Sequence, residues 1–184
     1  MSTSSGGLAR RLNWGCGTDP EPGWINSDHK DGPGIDLRCD ILDGLPLGSD
    51  TLDYAVSVHA LPELPHPDLV PALRELRRVL KPDGVLRLAL PDLDRGIRAY
   101  LDGDRSYFLI GDEEATSLGG KFAVQMTWFG YSRSLFTYDF IEELLRKAGF
   151  DVITRCAYGE TASRFAGIVE LDNRERESLF VEAT

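Results

Sequence analysis

Gly15-Cys16-Gly17 follows the apolar run Leu12-Asn13-Trp14. Two glycines around one residue let a backbone come close to a ligand, although a glycine pair at a strand end is also a plain turn. Two further runs add to the ligand reading. GWINSD (23–28) ends in Asp28, and IDLRCD (35–40) ends in Asp40. In open α/β sheets ligands bind at the carboxyl ends of the strands, so three such ends in succession line one crevice. A carboxylate accepts two hydrogen bonds at once, which suits a pair of ribose hydroxyls at the second end. At the third end it can accept from the exocyclic amine of a purine. The alternative for both acids is turn capping. His59 closes a fourth run, LDYAVSV (52–58). Imidazole has the reference pKa nearest neutrality, which makes His59 the candidate general base. The alternative is a histidine bonded to a loop carbonyl. Cys16 has a nucleophile's side chain, but small residues commonly fill such a slot, and we read it as packing.

These residues need elements to hold them. Short apolar runs alternate with loops and helical patterns. Leu69, Leu73, Leu76, Val79 and Leu80 recur at helical spacing, Lys81-Pro82-Asp83-Gly84 reads as a turn, and VLRLAL (85–90) as the next strand. Residues 93–101 suggest a short helix, and 138–148 an amphipathic helix stopped by Gly149. Residues 150–157 and 178–183 read as strands, and 103–135 are mixed. His66, between prolines, reads as a loop residue. Strands joined by helical crossovers mark a mostly parallel α/β sheet. No linker divides the chain, so 1–184 is expected to be one domain, with residues 1–9 a flexible lead.

Composition removes several classes of function. The 184 residues carry a formal charge of −10, which disfavours a nucleic-acid coat or docking on anionic lipid. No window approaches the roughly 20 apolar residues of a membrane span, and MSTSSGGLARR lacks a signal-peptide core. Cys16, Cys39 and Cys156 form no disulfide or zinc pattern, and His29, His59 and His66 form no ligand set, so a cytoplasmic protein without metal is expected.

LNWGCG, GWINSD, Asp40-Ile41, SDTLDYAVSVHAL and RELRRVLKPDGVLRLALPDL together resemble the class I S-adenosylmethionine-dependent methyltransferases, above all their small bacterial members. The likeness covers residues 11–95 well and 138–157 loosely. It implies a Rossmann-like α/β fold, a mostly parallel seven-stranded sheet with an antiparallel terminal strand, and S-adenosylmethionine as cofactor. It implies that Asn13, Trp14, Gly15, Cys16 and Gly17 form the loop under the methionine part, that Asp28 and His29 hold the ribose, and that Asp40 and Ile41 hold the adenine. Ser57 would lie beside the sulfonium.

The chain departs from the pattern in three places. Asn13 stands where the family has an acid, and Asp19 where it has a third glycine. Only Thr18–Pro22 separate Gly17 from Gly23, too few for a crossover helix, and HKDGPGI (29–35) is a loop, so the first two helices are expected to be missing or cut to turns. The sheet face they would cover needs a homodimer, the N-terminus or residues 160–177 instead.

Ten of the 17 Phe, Trp and Tyr residues lie between 100 and 140. In this fold an insert after the fifth strand overhangs the crevice, so residues 93–137 are expected to form an aromatic lid, with Trp128, Tyr131 and Arg133 toward substrate. The expected activity is methyl transfer to a small molecule, more on oxygen than on nitrogen, because no Asn/Asp-Pro-Pro-aromatic motif comes after the fourth strand. The rivals are a dinucleotide-dependent oxidoreductase, which the position of Asp28 disfavours, and a methyltransferase fold that does not methylate.

Overall fold

The computed structural model describes residues 9–184, so nearly all of the expected N-terminal lead lies outside the described residues. Its centre is one sheet of seven strands in the order β3-β2-β1-β4-β5-β7-β6. The strands are β1 (Arg11–Trp14), β2 (Ile25–Asp28), β3 (Leu37–Arg38), β4 (Leu52–Val58), β5 (Leu80–Pro91), β6 (Ile153–Cys156) and β7 (Ser178–Ala183). Strands β1 to β5 pair in parallel, and β7 runs antiparallel to both β5 and β6.

Four α-helices accompany it: α1 (His66–Val79), α2 (Leu93–Leu101), α3 (Leu118–Thr127) and α4 (Tyr138–Ala148). Helices α1 and α4 cover one face. Their apolar stripes meet Leu12, Leu52, Leu86, Leu88 and Val181, all essentially without solvent contact. Gly149 ends α4 in the left-handed conformation, φ 98°, which glycine adopts without a Cβ penalty.

The first two crossovers carry no helix. Residues 15–24 and 29–36 hold only turns and bends, as the short spacings require. The opposite sheet face is therefore left to the β6–β7 connection, residues 157–177. Ile168 from that segment packs on Trp24, Tyr54, Val56 and Val85. This is the cover expected from residues 160–177. Leu12, an apolar residue expected on that face, lies instead on the side covered by the helices.

Several boundaries correct the sequence reading. The third strand is two residues long, because the Asp36 carboxylate is drawn to the Asn26 N–H at 2.8 Å and Asp40 caps a 3-10 turn at Ile41–Asp43. His66 opens α1: Pro67 lies in the first turn, where a missing N–H costs nothing. The 81–84 turn is a bulge within β5, between the pairs Leu52↔Leu80 and Tyr54↔Val85. A Cβ on Gly84 would stand 3.0 Å from the backbone N and O of Lys81. The sixth strand starts at Ile153, because Phe150 turns into the core and the Asp151 N–H donates to Thr184 O.

Residues 93–137 form a closed excursion. Leu93 N–H donates to Phe136 O at 3.0 Å, and an isolated bridge joins Asp92 and Phe136. Asp92 caps α2, and α2 meets α3 where a Cβ on Gly96 would lie 2.9 Å from Met126 Cε. The excursion is pinned to the loop after β4 by Ser134, whose Oγ donates to Leu64 O at 2.7 Å.

Candidate cofactor and acceptor site

The turn after β1 is folded tightly against β2. Gly15 and Cys16 N–H groups donate to Ser27 O at 2.8 and 3.1 Å, and Gly17 N–H donates to Asp28 Oδ2 at 2.9 Å. Gly15 has φ +69°, and a Cβ there would stand 2.2 Å from Ala60 Cβ. Glycine is therefore required by both conformation and contact. The second Asp28 oxygen accepts from Lys30 N–H at 2.8 Å. Asp28 thus caps the turn, the bland alternative for it, and also lines a cavity, which the ligand reading needs. Each carboxylate oxygen keeps a free lone pair for a hydroxyl.

That cavity, about 740 Å3, runs along the ends of β1, β2 and β3. It is walled by Trp14, Asp28, His29, Asp40 and Ile41 and reaches Gly15, Gly17 and Glu63. The structure so brings the residues expected on the nucleoside side to the wall of one cavity. His29 Nδ1 stands 3.3 Å from Asp28 Oδ1, with its ring half exposed. Asp40 accepts from Leu42 N–H at 3.0 Å with one oxygen and keeps the other.

A second cavity, about 240 Å3, opens at the end of β4. It shares Gly15, Gly17, Thr18, Ala60 and Glu63 with the first, so the two adjoin at the glycine turn. Its far wall holds Gln125, Met126, Trp128 and Tyr131, and its floor holds Cys16 and His59. The expected lid residues Trp128 and Tyr131 therefore face the glycine turn across a void. Arg133 does not line it; its N–H donates to Pro62 O at 2.8 Å. Ser57 lines neither cavity: it is 1% exposed, one residue too early on β4, with its Oγ unpartnered. Asn13 borders a smaller, polar void of about 170 Å3 on the other side of the turn.

His59 stands where the sequence places it, but in an unusual state. Its φ is 57°, a left-handed conformation at a non-glycine residue. Its Nε2 is hydrogen-bonded to Ser178 Oγ at 2.8 Å. Burial, with the positive charge of Arg174, pushes its pKa down to about 3. The ring is neutral at physiological pH and weakly basic, so a proton-accepting role is disfavoured and an orienting role favoured. Burial, seconded by the Asp28 carboxylate, pushes the Cys16 thiol up to about 11, which keeps it protonated and unreactive.

Sequence reasoning missed Ala60, Glu63, Gln125, Met126, Arg174 and Glu177. Glu63 lay within reach, since it comes one turn's length after His59. Arg174 and Glu177 sit in LDNRERES, a stretch with neither period nor motif.

Dinucleotide-binding sheets run 3-2-1-4-5-6. Here the seventh strand inserts antiparallel between the fifth and the sixth, which departs from the dinucleotide-binding order and gives the Rossmann-like fold of the class I S-adenosylmethionine-dependent methyltransferases. The known proteins to which the chain is similar are methyltransferases. Residues 4–88 match the family described as "Methyltransferase domain". A probable methyltransferase, ltbC of Aspergillus luteorubrus, is 33% identical over 135 residues, which is 66% of this chain and 40% of that protein. The chain thus spans well under half the length of that curated relative.

Among solved structures, a possible histamine N-methyltransferase from Thermotoga maritima superimposes with a TM-score of 0.59 at 18% identity, covering 96% of this chain and 82% of that one. The putative methyltransferase bound to the Haloferax volcanii Trm112 activator gives 0.55 at 14%, covering 96% and 81%. At these identities both bear on the fold alone.

The residues fit the cofactor. Carboxylates Asp28 and Asp40 border a cavity of about 740 Å3, ample for a nucleoside, and a glycine whose Cβ would clash lets the backbone pass beneath.

Proposed function

We propose that this domain transfers the methyl group of S-adenosylmethionine to a small-molecule acceptor, on oxygen. The observation that carries this reading is that two cavities adjoin at Gly15 and Gly17, one bordered by carboxylates and the other by aromatic rings. When bound, the cofactor supplies a methyl group on a sulfonium, ready for direct displacement. The chain's part is to bind, orient and exclude water. Asp28 and Asp40 hold the nucleoside, Trp128 and Tyr131 wall the acceptor, and His59 orients through its bond to Ser178. Proximity and desolvation then supply the acceleration. The net charge of −10 and the small second cavity favour a compact acceptor over a nucleic acid. The stretch after β4, HALPEL, lacks the Pro-Pro-aromatic signature of amine methylation on nucleic acids, which supports oxygen.

The test is methyl transfer from labelled S-adenosylmethionine over a panel of phenols, carboxylic acids, alcohols and amines. Labelled product from an oxygen acceptor is expected. Product from amines alone overturns the oxygen reading. Calorimetric binding of S-adenosylhomocysteine without transfer to any member marks a fold that holds the cofactor without methylating.

A further inference from the structure

The β6–β7 connection does more than cover a sheet face: it brings Arg174 to the glycine turn. Arg174 is the one cation among the described residues lining the 240 Å3 cavity. It also lines the 170 Å3 void on the other side of the turn. Gly15, Cys16, Asp19 and Val58 border both spaces with it. An arginine and an aspartate thus flank one glycine turn. Arg174 Nη1 bonds Glu177 Oε1 at 3.2 Å, which leaves most of a five-donor guanidinium free.

Asn13, at the position where the family resemblance puts an acid, serves neither space electrostatically. Its side chain is buried, and its Nδ2 donates to Asn26 Oδ1 at 3.1 Å and to Asp19 O at 3.4 Å. Its amide locks β1 to β2 and the turn.

The amino-acid end of S-adenosylmethionine is a zwitterion and needs partners of both signs. Resting on the function proposed above, we infer that Arg174 holds the α-carboxylate of the cofactor, opposite Asp19 as partner of its ammonium. The charge recognition that β1 lacks is then supplied by the β6–β7 connection. Arginine suits this task, because its planar fork meets a carboxylate with two parallel bonds.

The test compares two ligands by calorimetry: S-adenosylhomocysteine, which keeps the amino-acid end, and 5′-methylthioadenosine, which keeps only the nucleoside and thioether. In Arg174→Gln the homocysteine ligand should weaken by about 10–100-fold, the worth of a charge-assisted pair, while the nucleoside ligand is unchanged. Arg174→Lys should fall between the two. Unchanged binding of S-adenosylhomocysteine overturns the inference, leaves the cofactor site intact and assigns Arg174 to the acceptor. Equal weakening of both ligands overturns it as well, since the effect is then on the shape of the site. If the parent protein binds neither ligand, the proposed function fails, and this inference with it.

Discussion

At the scale of single residues, the site depends on groups that hold the turn and the ligand together. Asp28 accepts Gly17 and Lys30 N–H groups while facing the nucleoside cavity. Asp28→Ala removes the proposed ribose partner and frees the turn, and should cost about 2–4 kcal/mol of cofactor affinity, at roughly 1.5–3 per charge-assisted bond. Calorimetry that shows unchanged affinity refutes the assignment. His59 gives a pH prediction with a definite sign. Its folded pKa, about 3, lies below the reference of 6.5, so its contribution to stability is full above pH 6.5 and is lost as the pH falls toward 3. In an NMR titration its ring protons should not move between pH 5 and 8. His59→Asn, which tolerates positive φ, should keep the rate within about ten-fold, whereas loss of a working general base costs about 100-fold or more. A ring that titrates near 6.5, with a rate loss of that size in the variant, would restore the base.

At the scale of elements, the wall opposite the glycine turn ends in a strained tip. Trp128, Phe129 and Gly130 have φ of 42°, 56° and 90° in succession. Left-handed conformation costs a non-glycine residue about 1–2 kcal/mol, so Phe129→Gly should be more stable than Phe129→Ala by about 1 kcal/mol, the reverse of the order in a helix interior. Urea titration of the two variants checks this, and an alanine variant at least as stable as the glycine one refutes it. The elements also show what a sequence discloses. Residues 93–101, 138–148, 52–58 and 178–183 were legible to the residue, because each carries an unbroken period and a clear stop. Helix α3 was not: Gly119 and Gly120 sit in its first turn, and its start rests on the Ser117 side chain accepting from Gly120 N–H. The two-residue β3 sits at the sheet edge, where pairing with one neighbour leaves little pattern. At the site, the strand-end acids and the glycine turn were legible because spacing along the chain reflects position in such sheets. Arg174 and Gln125 were not, since only tertiary folding brings them there.

At the scale of the whole molecule, the missing crossover helices are replaced by an irregular segment held by a charge cluster. Arg87 lies in mid-sheet with no solvent exposure. Its five N–H donors meet Asp172 Oδ1 and Oδ2, Glu182 Oε1, Ala157 O and Glu160 O, at 2.6–3.2 Å. Asp172 and Glu182 in turn accept from Gly159 and Ala162 N–H groups, which fastens both ends of the connection to the sheet. The cover that a second copy could have supplied therefore comes from the chain itself. A buried cation tolerates this place only while fully paired. Asp172→Asn preserves volume but withdraws the charge from Arg87, and should cost about 3–5 kcal/mol, a large share of the roughly 5–15 of a typical domain. The loss should reach the site too, because Arg174 lies two residues beyond Asp172 on the segment being released. The urea midpoint should fall, Trp24 beneath Ile168 should become accessible to a fluorescence quencher, and S-adenosylhomocysteine should weaken more than 5′-methylthioadenosine. A variant with the parent's urea midpoint and a shielded Trp24 would mean that apolar contact at Ile168, and not the charge cluster, holds the segment down.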